Sequence, residues 1–131
     1  MPEDAEQPSQ DVVDLAHAVF DLARDGATER LAAYLDAGVP VDLTDAKGNT
    51  LLMLAAYHGH PATVLALTER GADADRLNDR GQSPLAGAVF KGEDDVVRIL
   101  LAAGADPDAG APTARATATM FDRSDLVPPA G

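Results

Sequence analysis

His58 and His60 are separated by one residue, and two imidazoles at that spacing can share a metal ion. A closed site needs further ligands, but the chain has no cysteine, no acidic residue at zinc spacing from the pair, and a lone His17 elsewhere. No metal is therefore expected. Asp73/Asp75 and Asp106/Asp108 alternate carboxylates in the way calcium loops do, yet neither pair runs on to the closing glutamate such a loop requires. They are expected to bond the backbone amides of their own loops. Ser9, Ser83 and Ser124 are the only serines, and none sits in a G-x-S-x-G nucleophile elbow. The glycines do not form a phosphate-binding P-loop either. The chemistry-bearing residues thus predict no enzyme, no metal and no cofactor.

What positions these residues is a repeat. Gly26, Gly59 and Gly92 recur at intervals of 33 residues, as do Gly38, Gly71 and Gly104. A period of this length means that one small supersecondary unit, unable to bury its apolar face alone, is stacked on copies of itself. Asp45 to Leu77 can be laid over Asn78 to Gly110, pairing Gly48 with Gly81, Thr50 with Ser83, Leu52 with Leu85, Ala55 with Ala88, Val64 with Val97 and Leu67 with Leu100. Thr50 and Ser83 read as N-caps of a first helix, because a short side-chain oxygen can accept from a free backbone amide. Pro84 and Pro61 suit first helical positions, and Glu93, Asp94 and Asp95 place negative charge at a helix N-terminus. Gly59 and Gly92 separate the first helix from a second, which Gly71 and Gly104 end. Each unit is expected to be helix, turn, helix and extended loop.

The stretches Thr50-Leu51-Leu52-Met53-Leu54-Ala55 and Ser83-Pro84-Leu85-Ala86-Gly87-Ala88, at this period, resemble the T-P-L-H-x-A signature of the ankyrin repeat. Met53 and Ala86 replace the family's histidine, which removes the hydrogen bonds that side chain makes between neighbouring loops. Gly59-His60 stands where the family has glycine then histidine at the turn between helices, a structural role. The implied fold is all-α, a helix-turn-helix repeat solenoid with extended loops, two full repeats and a cap at each end. Residues 11–126 form the domain, with units at 11–44, 45–77 and 78–110 and a partial one at 111–126. In the last, Ala114 and Asp125 replace glycines of the pattern, leaving one helix from Thr113 to Arg123. Residues 1–10 and 127–131, rich in polar residues, proline and glycine, are expected to be mobile.

Composition is consistent with such a stack. Apolar residues make up 46% of 131 residues, but aromatics only 4%, so alanine and leucine must pack the layers. Net charge is −12, and residues 1–44 hold ten acids against Arg24 and Arg30. That field disfavours nucleic acid and anionic membranes. It serves solubility, or steers a basic partner. An acidic N-terminus, no cysteine and no apolar run approaching the roughly 20 residues of a membrane span predict a cytoplasmic protein. The preference for arginine and alanine hints at a bacterial source.

Function is expected on the surface where equivalent repeat positions differ. The resemblance implies a partner protein held by the concave face and loop tips. The implied residues are Ala46, Lys47, Asn49, Leu54, Tyr57 and His58 in one repeat, and Leu77, Asp79, Arg80, Gln82, Phe90 and Lys91 in the next. Tyr57 and Phe90 are equivalent by the period and would be either aromatic anchors or core. Lys47, Arg80 and Lys91 would form a basic rim. A monomer with a separate partner is the first reading; the alternative is a self-associating homodimer paired through its imperfect ends, with Met120, Phe121 and the Pro128-Pro129 tail. Gly87, inside a helix, must serve close helix packing or the approach of a partner.

Overall fold

The computed structural model describes residues 10–128, and the expected mobility of both termini falls largely on residues outside that range. Three helix pairs and a final single helix follow one another along the chain: α1 (Gln10–Asp25) with α2 (Thr28–Asp36), α3 (Leu51–Tyr57) with α4 (Pro61–Glu69), α5 (Pro84–Lys91) with α6 (Asp94–Ala102), then α7 (Ala114–Met120). A 3-10 turn, Ser124–Leu126, closes the described chain. First helices stack on first helices, α1 on α3 on α5 on α7, and second helices α2 on α4 on α6. Among the described residues there is no strand, only an isolated bridge between Thr44 and Thr50. The all-α solenoid with extended loops is what the period implied.

The local devices are those expected of the residue types. Thr50 Oγ1 accepts from the Met53 amide at 3.1 Å, and Ser83 Oγ from the Ala86 amide at 3.0 Å. Val19, Leu52 and Leu85 occupy one repeat position and are each fully buried. So are Val64 and Val97 on the second helices, with Leu31 at 1% exposure in the first unit. Burying such stripes supplies the main stabilisation, at roughly 1.5–3 kcal/mol per large aliphatic side chain. Gly87 is buried, and a Cβ there would lie 3.0 Å from Met53 Cε and 3.6 Å from the Tyr57 ring. The gap in α5 is therefore filled by two side chains of α3, which assigns Gly87 to close helix packing.

Neighbouring loops are joined by hydrogen bonds although Met53 and Ala86 supply none. Asn78 Nδ2 donates to Asn49 Oδ1 at 2.9 Å and to Gln82 Oε1 at 3.0 Å, and the Asp79 amide donates to the Lys47 carbonyl at 3.0 Å. Lower in the loops, Asp42 Oδ1 accepts from the Asp73 amide at 2.9 Å, and Asp75 Oδ1 from the Asp106 amide at 2.7 Å. Within the loops, Asp73 and Asp106 accept from the amides of Asp75 and Asp108. Asp73, Asp75 and Asp106 thus do the amide-binding work their spacing suggested, and Asp75, like Asp42, ties one unit to the next, whereas Asp108 pairs with Arg115.

The last unit differs from the expected register. Gly71 stands twelve residues before the cap Ser83, but Gly104 only nine before the cap Thr113, whose Oγ1 accepts from the Ala116 amide at 3.0 Å. The three missing residues come from the loop tip. The same turn bond recurs in all four units, from Ala27 to Leu22, His60 to Ala55, Glu93 to Ala88 and Arg123 to Ala118. The residue matching Gly92 is therefore Asp122 rather than Asp125. Asp122 takes the left-handed turn itself, with φ 56°, because a short carboxylate side chain tolerates that conformation better than most. The helix accordingly stops at Met120, short of Arg123. In this register Arg115 stands where α5 has Leu85, and its guanidinium pairs with Asp108 at 2.8 Å. Val127, expected in the mobile tail, is buried at 6% exposure and belongs to the core.

Candidate functional site

α1 has 16 residues where α3 has seven and α5 eight, and its four buried side chains, Val19, Phe20, Leu22 and Ala23, all lie in its second half. The first half runs beyond the stack beside the loop tips. Between it, α3 and the tips at 44–49 and 78–82 lies a groove of about 1110 Å³. Val12, Val13, Ala16 and Phe20, at helical spacing, form one apolar wall. Met53, Leu54 and Tyr57 from α3 make the floor, and Lys47, Asp79 and Arg80 stand on the opposite rim.

Of the residues expected to bind, Lys47, Asn49, Leu54, Tyr57, His58, Asp79, Arg80 and Gln82 line this groove together with Ala46. Leu77, Phe90 and Lys91 lie outside its lining. Leu54 is only 7% exposed, so it packs into the core and offers the groove its edge rather than a projecting apolar patch. Asn49 and Gln82 spend their amides on the loop ladder. Tyr57 is half-buried, stands edge-on to His58 with ring centroids 5.6 Å apart, and has Lys91 Nζ 5.0 Å above its ring. Phe90 is 55% exposed and meets Phe121 edge-on at 5.6 Å, so the two equivalent aromatics are neither both core nor both free. Their fates diverge because α3 and α5 have different neighbours, although the period makes them interchangeable.

The α1 wall was not foreseen, since the first unit reads as a cap. Its signal is visible in hindsight: a helix pattern at Val12, Ala16 and Phe20 continues two turns before Val19, the residue that aligns with Leu52.

His60 Nε2 lies 2.6 Å from the Arg24 carbonyl, so it bridges the first two layers. Among the described residues no group of three or more histidines, cysteines and carboxylates could hold a metal. Ser83 is fully buried and occupied as a cap. Burial pushes the His58 imidazole below its ordinary 6.5, aided by the positive charges of His60, Arg24 and Lys91 and opposed by Asp25. The unfolded chain then binds a proton at His58 before the folded one does. Stability is expected to decline as pH falls through about 6.5, and His58→Gln should flatten that part of the curve in urea titrations across the range. An unchanged slope would contradict the assignment.

A family profile described as ankyrin repeats in three copies matches residues 18–111. The chain belongs to the ankyrin repeat family. An ankyrin repeat protein of Pseudomonas aeruginosa is 46% identical over 63 residues, 47% of this chain and 37% of that protein. Ankyrin repeat domain-containing protein 29 of Danio rerio and its counterpart in Homo sapiens are each 48% identical over 60 residues, 45% of this chain and 20% of theirs. The match thus spans well under half the length of these relatives. Ankyrin repeats are generally protein interaction modules and typically not catalytic, and their stacked layers present one extended surface to a partner. Among the described residues no helix is long and apolar enough to cross a membrane.

Proposed function

We propose that this ankyrin repeat protein is a non-catalytic module that holds a segment of another protein in the groove between α1, α3 and the loop tips. The observation that carries this reading is the groove itself: an apolar wall and floor of about 1110 Å³, open to solvent, with polar loop tips along one side. A concave surface that combines apolar side chains with polar groups able to fix orientation is the usual form of a recognition site. Tyr57 is the central anchor, and Phe90 extends the same face toward α7. The cysteine-free composition suits a reducing compartment, so the partner is sought in the cytoplasm.

Replacing Tyr57 and Phe90 together by alanine is expected to lower recovery of the partner from native lysate by at least about tenfold, with cooperative unfolding retained. Affinity capture with quantitative mass spectrometry checks this. Equal recovery by wild type and variant would place recognition on another face.

Self-association is the second reading, and one observation favours it: Met120 at 71%, Phe121 at 49% and Phe90 at 55% exposure cluster at the C-terminal end. A concentration series in size-exclusion chromatography separates the two. A dimer dissociated by Phe121→Ser supports the second reading, and a monomer at every concentration removes it.

A further inference from the structure

We infer that the groove selects a segment with an apolar face and an acidic edge, the carboxylates meeting the loop-tip cations Lys47 and Arg80. The inference rests on the groove being the binding site and adds the chemistry of what enters it.

The chain has ten basic residues against 22 acidic ones, so the few cations that face the groove stand out against an acidic molecule. Arg24, Arg70, Arg98, Arg115 and Arg123 all form ion pairs within the protein. Lys47 and Arg80 have none among the described residues; Arg30, Arg76 and Lys91 have none either, but they lie outside the lining of the groove. They hold equivalent positions, each the third residue of a loop-tip turn whose first residue, Asp45 or Asn78, accepts from the amide of that third residue at 2.9 Å. The Asp79 amide to Lys47 carbonyl bond then ties the two tips together, so both cations sit on a braced edge of one groove. Rigid placement lowers the entropy lost when a partner binds there.

The carboxylates of the groove are mostly occupied. Asp21 pairs with Arg24 at 2.7 Å, and Asp45 accepts from the amides of Lys47 and Asn49 while facing Arg24 at 3.9 Å. Asp79 stands on the same rim, its carboxylate beside Gly48, and makes no ion pair among the described residues. Asp14, on α1, binds Gln10 and does not line the groove. With Asp21 and Asp45 paired, Lys47 and Arg80 outnumber Asp79 on the rim and leave it net positive.

The net charge of −12 sharpens this choice. An extended polyanion would be repelled by the whole molecule, whereas a short acidic edge within a Debye length of about 10 Å feels chiefly the rim, where Lys47 and Arg80 outnumber Asp79. The opposite wall, Val12, Val13 and Ala16, takes the apolar side of the same segment.

The test is a random peptide library displayed on phage, panned against the full chain. Wild type and two variants, Lys47→Glu/Arg80→Glu and Tyr57→Ala, are compared with the enriched peptides by fluorescence anisotropy. Enriched peptides should combine large apolar residues with aspartate or glutamate and should lose about tenfold in affinity on the double charge reversal. Circular dichroism melting of both variants verifies the fold. Glutamate-to-lysine versions of the same peptides should bind the reversed protein better than the wild type. Peptides that depend on Tyr57 but carry no acids, or ignore the charge reversal, overturn the inference and leave the groove reading standing. Peptides indifferent to Tyr57 as well overturn both.

Discussion

Leu85→Ala should lower the unfolding free energy by about 3 kcal/mol, within the range of about 2–5 kcal/mol for buried leucines. Leu85 is fully buried in α5, a helix that packs on α3, α6 and α7 together. Truncation there removes methyl groups from a surface shared by three neighbours. Alanine and valine make up more than half of the buried cluster to which Leu85 belongs, and such short side chains fill a gap poorly. A cavity therefore persists, and its cost adds to the lost transfer free energy. In a stack whose stability is a sum of units and nearest-neighbour interfaces, damage to α5 weakens contacts on both sides of it. Domains of this size are stable by about 5–15 kcal/mol, so the variant should still fold but melt at distinctly lower urea. Equilibrium urea unfolding followed by circular dichroism measures the change. A loss under about 1 kcal/mol would mean that the layers adjust to fill the gap and that the interior is not closely packed.

Gly26→Ala is expected to cost about 2–3 kcal/mol, clearly more than the same change at Gly92. Both glycines have left-handed backbones, with φ 72° and 70°, where an alanine loses roughly 1–2 kcal/mol. Their surroundings differ. A Cβ on Gly26 would fall 2.5 Å from His60 Nδ1 and within 2.9 Å of two more ring atoms, while a Cβ on Gly92 would meet nothing within 4 Å. The imidazole cannot turn aside freely, since its other nitrogen is 2.6 Å from the Arg24 carbonyl. The methyl group must displace the ring and break that bond, worth about 1 kcal/mol more. The comparison of Gly26→Ala with Gly92→Ala in urea isolates the contact from the backbone strain common to both. Equal losses would show that His60 moves away without cost and that its bond to the first layer contributes little.

These two glycines show how far the sequence can be read. Gly26 and Gly92 are one position apart by two periods, and the period, the caps Thr50 and Ser83, and the helix stripe through Val19, Leu52 and Leu85 were all legible in the chain. Each of these features depends on residues within a single unit. The histidine against Gly26 comes from the next unit, and the period says nothing of which neighbour has one. Gly87 was ambiguous for the same reason, until Met53 and Tyr57 of α3 were seen in its space.

The candidate site divides along the same line. Most of its loop-tip and α3 residues follow from repeat position, because equivalent positions on stacked layers come to lie side by side. The α1 wall does not follow, since nothing in the repeat dictates that the first helix should outrun its unit. The partner of Phe90 was equally hidden: Phe121 reaches it only because the final loop is three residues short and shifts α7 relative to the period.

Alone, then, the chain determined its layers, their caps and their turns. These are consequences of backbone preferences and helix periodicity acting over a few residues. The tertiary structure decided which equivalent side chains differ in exposure, which cations remain unpaired, and that a groove exists beside α1. Those outcomes depend on distances between residues more than thirty positions apart, where a single side chain from the neighbouring layer can reverse what the local pattern implies.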